Sequence, residues 1–256
     1  MANMLTQIQY SRIVDLTVPI ESGMPGIPGV PVYDKHPSRV DVIGIMNDGQ
    51  RKTVEAEGIT IRDDVVVTGR SMISTLFMLV HNGTHIDAPR HAVEKGYPID
   101  QTPLERLVGE AVLISLPSKG ANSTISVKDI VNTGVEFGPD VVPIIHTGWT
   151  EKMWGNPGFW EEIPYLEQGV GDFFAEKGVT AVGMDIFPEK ATWRVPLEPG
   201  EVWMANHIAL LEKGIAIIQF LTNMSRIGNG RFSIVALPLK IKGGDGSPAR
   251  VIALVE

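Results

Sequence analysis

Of the six histidines in this 256-residue chain, at positions 36, 81, 85, 91, 146 and 207, three fall within eleven residues. That window, His81-Asn82-Gly83-Thr84-His85-Ile86-Asp87-Ala88-Pro89-Arg90-His91, also carries a carboxylate. Three imidazoles and a carboxylate form an N/O ligand set suited to a divalent cation. Neutral imidazoles near one another gain nothing from burial unless a cation or a proton organises them. The window therefore reads as a metal site, while His36 and His146 read as ordinary core or surface residues. Gly83 and Pro89 argue against a continuous helix here. A loop leaving a strand at Ile73–Val80 fits better, with Gly83 curling the backbone so that His81 and His85 converge. If the next stretch is extended, His85 and Asp87, two apart, share one face. His91, beyond Pro89, then stands near the metal without binding it. Gln219 sits in an apolar run, IAIIQFL, where an unpartnered amide costs about 1–3 kcal/mol. Either it bonds to backbone or its carbonyl oxygen completes a metal sphere with His81, His85 and Asp87; the spacing is compatible with both.

The elements that must position these groups are mostly strands. Apolar runs rich in β-branched residues occur at Ile59–Ile61, Ile73–Val80, Ala111–Leu116, Val141–His146, Val179–Ile186, Ile215–Leu221, Phe232–Pro238 and Arg250–Leu254. Three helices are expected. Ser126 and Asp129 have capping-box spacing before Val127–Asn132; Pro164–Lys177 carries periodic apolar residues and stops at Gly178; Asn206 caps His207–Lys213, ending at Gly214. Helix followed by buried strand, twice over, signals βαβ units, and the remaining short strands suggest an antiparallel portion. The expectation is a single α/β domain over residues 1–256. Within it, Pro19 to Pro37 holds five prolines and should form an extended, ordered loop, either a connector or a flap over a site or onto a neighbouring subunit.

Composition excludes several functions. With no cysteine there is no disulfide scaffold, thiolate zinc site or catalytic thiol. A net charge of −8 is a poor match to a phosphate backbone, so no nucleic-acid partner is expected. No apolar stretch approaches the roughly 20 residues of a membrane-spanning helix. The N-terminus, MANMLTQIQYSRIVDL, lacks the basic head and apolar stretch of a secretory signal, which points to a cytoplasmic protein without a membrane partner.

The window HNGTHIDAPRH matches every fixed position of His-x-Gly-Thr-His-x-Asp-x-Pro-x-His, and the chain thereby resembles the cyclase family, which includes bacterial kynurenine formamidases and isatin hydrolases. The likeness extends to Asp15-Leu16-Thr17, Gly23-Met24-Pro25, Thr147-Gly148-Trp149, His207 with Leu210-Leu211, and Gly243 to Pro248. The resemblance implies a mixed β-sheet with flanking helices and a small barrel-like part, in a homodimer or homotetramer that hydrolyses amides or esters with a bound divalent metal. It implies His81, His85 and Asp87 as ligands and His91 as general acid/base. His207 would hold a second metal, as in two-zinc members, or hydrogen-bond the substrate. Gln219 stands where the two-zinc formamidases carry glutamate, twelve residues after His207. A neutral amide adds no charge to offset the repulsion between two dications, which favours one metal, with Gln219 as a ligand. Manganese is expected first and zinc second.

The expected reaction is the opening of an isatin-like cyclic amide by metal-activated water. N-formylkynurenine and a lactone are the rival substrates, and a metal-binding protein without turnover is the alternative outside the enzymes. Trp149, Trp154, Phe159, Trp160 and Trp193 are candidates for an aromatic pocket wall, Trp149 being the substrate contact.

Overall fold

The computed structural model describes residues 10–228 and 230–256, so residues 1–9 of the stretch read for a signal peptide lie outside the described residues. In chain order the first elements are β1 (Arg12–Asp15), α1 (Pro31–Lys35), β2 (Arg39–Ile45), α2 (Asp48–Ala56), β3 (Thr60–Val67), β4 (Ile73–Phe77) and β5 (His85–Asp87). Then follow β6 (Val108–Ser115), β7 (Thr124–Ile125), α3 (Val127–Asn132), β8 (Val141–His146), α4 (Trp149–Met153) and β9 (Tyr165–Leu166). The last are α5 (Val170–Glu176), β10 (Ala181–Met184), α6 (Ala205–Leu211), β11 (Ala216–Gln219), β12 (Arg231–Pro238) and β13 (Gly246–Val255).

Strands β6, β8, β10 and β11 lie parallel in that order, and their runs are apolar on both faces because both faces are covered. Alternate residues serve two clusters. Leu113, Ile144 and Ile218 fill the interior, while Ile114, Ile145 and Ile217 pack outward in the cluster that holds Ile130, Phe174 and Leu210 of α3, α5 and α6. The antiparallel strands β12 and β13 continue the sheet. The short β5, antiparallel to both β11 and the start of β13, closes it into a seven-stranded, barrel-like ring. β1 pairs with the remainder of β13 outside the ring. A separate three-stranded sheet, in the order β3-β2-β4, packs α2 over a small cluster of Val42, Ile45 and Val54. The mixed sheet, flanking helices and barrel-like part expected from the sequence are all present. No helix among the described residues is long and apolar enough to cross a membrane.

Four expectations need correction. The expected helix Pro164–Lys177 is confined to Val170–Glu176, since Tyr165–Leu166 is drawn into strand pairing with β7 and Gly169, at φ 95°, starts the helix late. Asn206 does not cap its helix. The cap is Met204, and Asn206 accepts a hydrogen bond from Gly171 N at 2.8 Å while donating to the carbonyls of Glu167 and Pro188. The strand expected at Ile73–Val80 ends at Phe77 and belongs to the small sheet. The proline-rich stretch is ordered but not wholly extended, because Pro31, with φ preset for a helix, opens α1. Ser38 closes this strap, its hydroxyl donating to Glu21 O and accepting from Met24 N.

Candidate metal centre and active site

The ring-closing strand β5 explains the spacing of the motif. Ile86 points into the barrel interior, so His85 and Asp87 face the other way. Gln219 lies directly opposite His85 in the register between β11 and β5 and joins the same face. Gly83 takes φ 68°, the left-handed turn that brings His81 back over β5. Thr84 secures the seam by donating to Phe220 O at 2.7 Å and accepting from Val18 N. After Pro89 a single 3₁₀ turn carries His91 onto His81, with ring centroids 3.9 Å apart. Gly246 is needed where it stands, since a Cβ there would lie 2.6 Å from the His81 ring.

The hydrogen bonds define what this cluster can hold. His85 Nδ1 lies 2.8 Å from Gly83 O; a carbonyl only accepts, so Nδ1 carries the proton and Nε2 is bare, 3.3 Å from Asp87 Oδ1. His81 Nε2 lies 2.8 Å from Asp245 Oδ2, and its Nδ1 lies 2.7 Å from Asp87 Oδ1. With a metal in place of the proton that His81 Nδ1 shares with Asp87, two imidazole lone pairs and a carboxylate oxygen would converge on one ion. Ligand atoms of His81, Asp87 and His91 also lie within 4.8 Å of one another. The donor set therefore fits a divalent metal, and the Gly83 carbonyl and Asp245 supply the outer hydrogen bonds that orient ligand histidines.

Burial and neighbouring charges pull the groups of the cluster in opposite directions. Burial lowers the pKa of His81, but the Asp245 and Asp87 carboxylates outweigh it and lift the group to about 9. His207 is likewise lowered by burial and raised further by Asp87 and Glu189, also to about 9. His85, fully enclosed, is pushed down by burial. Burial acts to raise Asp87, yet the surrounding histidines hold it well below the usual carboxylate range. Asp245 is lowered by its bonds to His81 and His91.

Above the cluster opens a cavity of about 400 Å³. His81, His85, His91, His207 and Gln219 line its floor together with Asp245, and Ile27, Leu79, Phe187, Trp203 and Phe220 its walls. Tyr33 on the strap also lines it, its phenol kept protonated by burial and by the Asp87 and Asp245 charges. No lysine or arginine is among the described residues lining it. Gln219 turns its amide Nε2 to Asp87 Oδ2 at 2.6 Å; a half-turn of the amide would present the carbonyl oxygen instead.

The structure does not bring every candidate to this cavity. Trp149 lies in the helix-side core with its indole N–H donating to Phe159 O, and Phe159 and Trp160 pack beside it. The motif Thr147-Gly148-Trp149 instead offers its backbone N–H groups to the buried Asp185. Asp245, Glu189, Tyr33 and Trp203 were not singled out from the sequence. Asp245 sits within Gly243 to Pro248, a stretch already quoted for the resemblance, and Tyr33 within the proline-rich strap. Glu189 gives no sequence signal, because only folding brings it to His207.

A family model described as a putative cyclase matches residues 14–188. The kynurenine formamidase of Bacillus cereus is 29% identical over 185 residues, covering 72% of this chain and 81% of that protein. That of Bacillus cytotoxicus is 30% identical over the same shares. Among solved structures, a potential metal-dependent hydrolase with cyclase activity is 26% identical, with TM-score 0.67 over 94% of this chain and 96% of the other. An isatin hydrolase bound to the product analogue thioisatinate gives TM-score 0.75 at 19% identity, over 95% and 92% of the two chains, which is a likeness of fold.

Proposed function

The chain belongs to the cyclase family, and from that premise we propose that it is a metal-dependent hydrolase that opens a cyclic aromatic amide of the isatin type. The observation that carries this reading is the convergence of His81 Nδ1, His85 Nε2 and Asp87 Oδ1 at the floor of an apolar cavity with no lysine or arginine among the described residues lining it. N-formylkynurenine bears an amino-acid head group, and this wall offers its carboxylate no cation; a neutral, flat cyclic amide asks for none. The similarity to Bacillus kynurenine formamidases supports formylkynurenine as the second substrate to test.

His81, His85, Asp87 and Gln219 would hold one ion, manganese first and zinc second, since an amide in place of a carboxylate leaves too little negative charge for two dications. When bound, such an ion lowers the pKa of a water and polarises the amide carbonyl. His91, stacked on His81 with Nδ1 3.5 Å from Asp245, takes the proton from the attacking water. Water oxygen bonds to the carbonyl carbon, the ring C–N bond breaks, and His91 returns its proton to the leaving nitrogen. The products are an amine and a carboxylic acid, which releases its proton to solvent as a carboxylate. His207, buried with its ring 5.5 Å from that of His91, hydrogen-bonds the substrate. We also propose that the protein is cytoplasmic and acts as a homodimer or homotetramer, the exposed apolar side chains of the three-stranded sheet being the surface for a second copy.

The test joins metal content to turnover. Protein prepared without added metal should hold about one manganese or zinc per chain, and isatin should be the fastest of isatin, N-formylkynurenine and a dienelactone. His91→Ala should keep the metal and lose turnover. Formylkynurenine as the fastest substrate would move the assignment to a formamidase, and no turnover with any metal would leave a binding protein.

A further inference from the structure

One buried charge is not used by the reaction outlined above. Glu189 is 3% exposed, lies in the segment between β10 and α6, and has Oε1 2.7 Å from the backbone N of His207 and 2.8 Å from its Nδ1. Its position is fixed on both sides. Phe187 bridges to Tyr165, Pro188 O accepts from Asn206 Nδ2 at 2.8 Å, and the next residue, Lys190, is paired with Glu201 at 2.6 Å. On α6 the N–H of His207 is one of the first-turn donors left without an intrahelical partner, so a cap is the simplest use of this glutamate. A cap alone leaves the second contact, to Nδ1, unexplained.

We propose that Glu189 is a positioning residue that fixes the tautomer of His207, keeping the proton on Nδ1 and presenting Nε2 to the reacting centre. A carboxylate accepts and never donates, so the nitrogen facing it must be N–H. The other nitrogen then faces the cavity, 3.4 Å from the amide Nε2 of Gln219 and 3.5 Å from Asp87 Oδ2. With the ring held at Nδ1, at its backbone and by burial, Nε2 has one direction available. The glutamate thus decides which nitrogen of His207 meets substrate, although it touches neither substrate nor metal ligand. This rests on the hydrolase reading only for its turnover measurement.

The experiment reads the tautomer directly. Long-range proton–nitrogen spectra of ¹⁵N-histidine-labelled, zinc-loaded protein, assigned with His207→Asn, should show His207 with the proton on Nδ1. Glu189→Leu should mix or reverse the tautomer and lower kcat about 10- to 100-fold with little change in KM, the usual scale for a lost orienting partner. Glu189→Gln should restore the tautomer and most of kcat, because the backbone N–H of His207 selects the amide oxygen as its acceptor. A structural cap alone would change thermal stability without moving the tautomer. Wild type with Nδ1 bare, or Glu189→Leu with tautomer and kcat unchanged, overturns the proposal. If Glu189→Leu does not fold, the wild-type and Glu189→Gln spectra still decide. A chain inactive on isatin would sink the hydrolase reading and leave the spectra to judge Glu189.

Discussion

In β5 of the closed sheet, His85, Ile86 and Asp87 are at most 2% exposed and paired to strands on both sides, whereas all five residues of β4 in the three-stranded sheet are exposed. Both strands come from one short stretch of chain, residues 73–87. At the ring seam, each polar side chain that folding buries finds a partner: His85 with Gly83 O, Asp87 with His81 and Gln219, Thr84 with Phe220 O. In the small sheet Val66, Val67, Ile73, Leu76 and Phe77 remain 46–61% exposed with apolar tips outward. One sheet encloses polar groups and fixes them for chemistry; the other leaves a row of apolar side chains open to solvent. The difference predicts that changes at the seam alter metal and turnover, and changes on the small sheet alter assembly.

The largest effect should come from Asp87→Asn. Asp87 is fully buried and is contacted by His81, His85, His207 and Gln219. Replacing the carboxylate by an amide of the same shape removes the negative charge that lies between His81 and His85. Bound metal should fall to near zero and turnover by about 10³-fold or more, several kcal/mol of transition-state stabilisation. A variant that kept both would show that the seam's chemistry does not depend on its buried charge.

Thr84→Val comes next and separates support from chemistry. It removes a donor to Phe220 O and an acceptor from Val18 N, both buried, without touching a ligand. Denaturant unfolding should show a loss of about 1–3 kcal/mol, with metal still bound after reloading. Equal stability would mean that the seam does not rely on this hydroxyl.

On the small sheet Leu76→Lys should do the reverse. An exposed site tolerates the change within about 0.5 kcal/mol, and metal content and kcat should stay as in wild type. The mass by light scattering should fall towards that of one chain. A wild-type protein that is already monomeric and fully active would remove the assembly reading of this face.

The same contrast explains what could be read in the sequence. The closed sheet was legible because strands buried on both faces show continuous apolar runs, as in Val141–His146, whose bounds match the structure. The small sheet was largely missed: β2 and most of β3 mix charges with valines, RVDVIGI and TIRDDVVV, and give neither an apolar run nor a clean alternation. In the site, residues from one local window were legible, since spacing reports what a short loop can bring together. Asp245 and Glu189 were not, because their partners are 164 and 18 residues away and meet them only through strand register and packing. Trp149 shows the converse: an aromatic-dense segment read as a pocket wall is core.

The smallest prediction concerns the feature most completely legible. The capping box at α3 is present as expected, with Ser126 N donating to Asp129 Oδ2 at 2.9 Å and Asp129 N to Ser126 Oγ at 3.2 Å. Lys119 adds an ion pair at 2.8 Å. Partial burial works to raise the Asp129 carboxyl, but Lys119 and Ser126 outweigh it and lower it to about 2. The folded value is thus depressed below the unfolded value of about 3.9, so the stabilisation is fully present above about pH 4 and is lost as pH falls towards 2. Asp129→Asn should therefore be less stable than wild type near neutral pH, by about 0.5–1 kcal/mol for a box of this kind. The gap should narrow on acidification below about pH 4, as read from paired denaturant curves. It should do so with turnover at neutral pH unchanged, because α3 lies on the flank of the ring and away from the seam. A gap that held constant with pH would show that the charge of Asp129 contributes nothing, leaving the cap to its neutral hydrogen bonds.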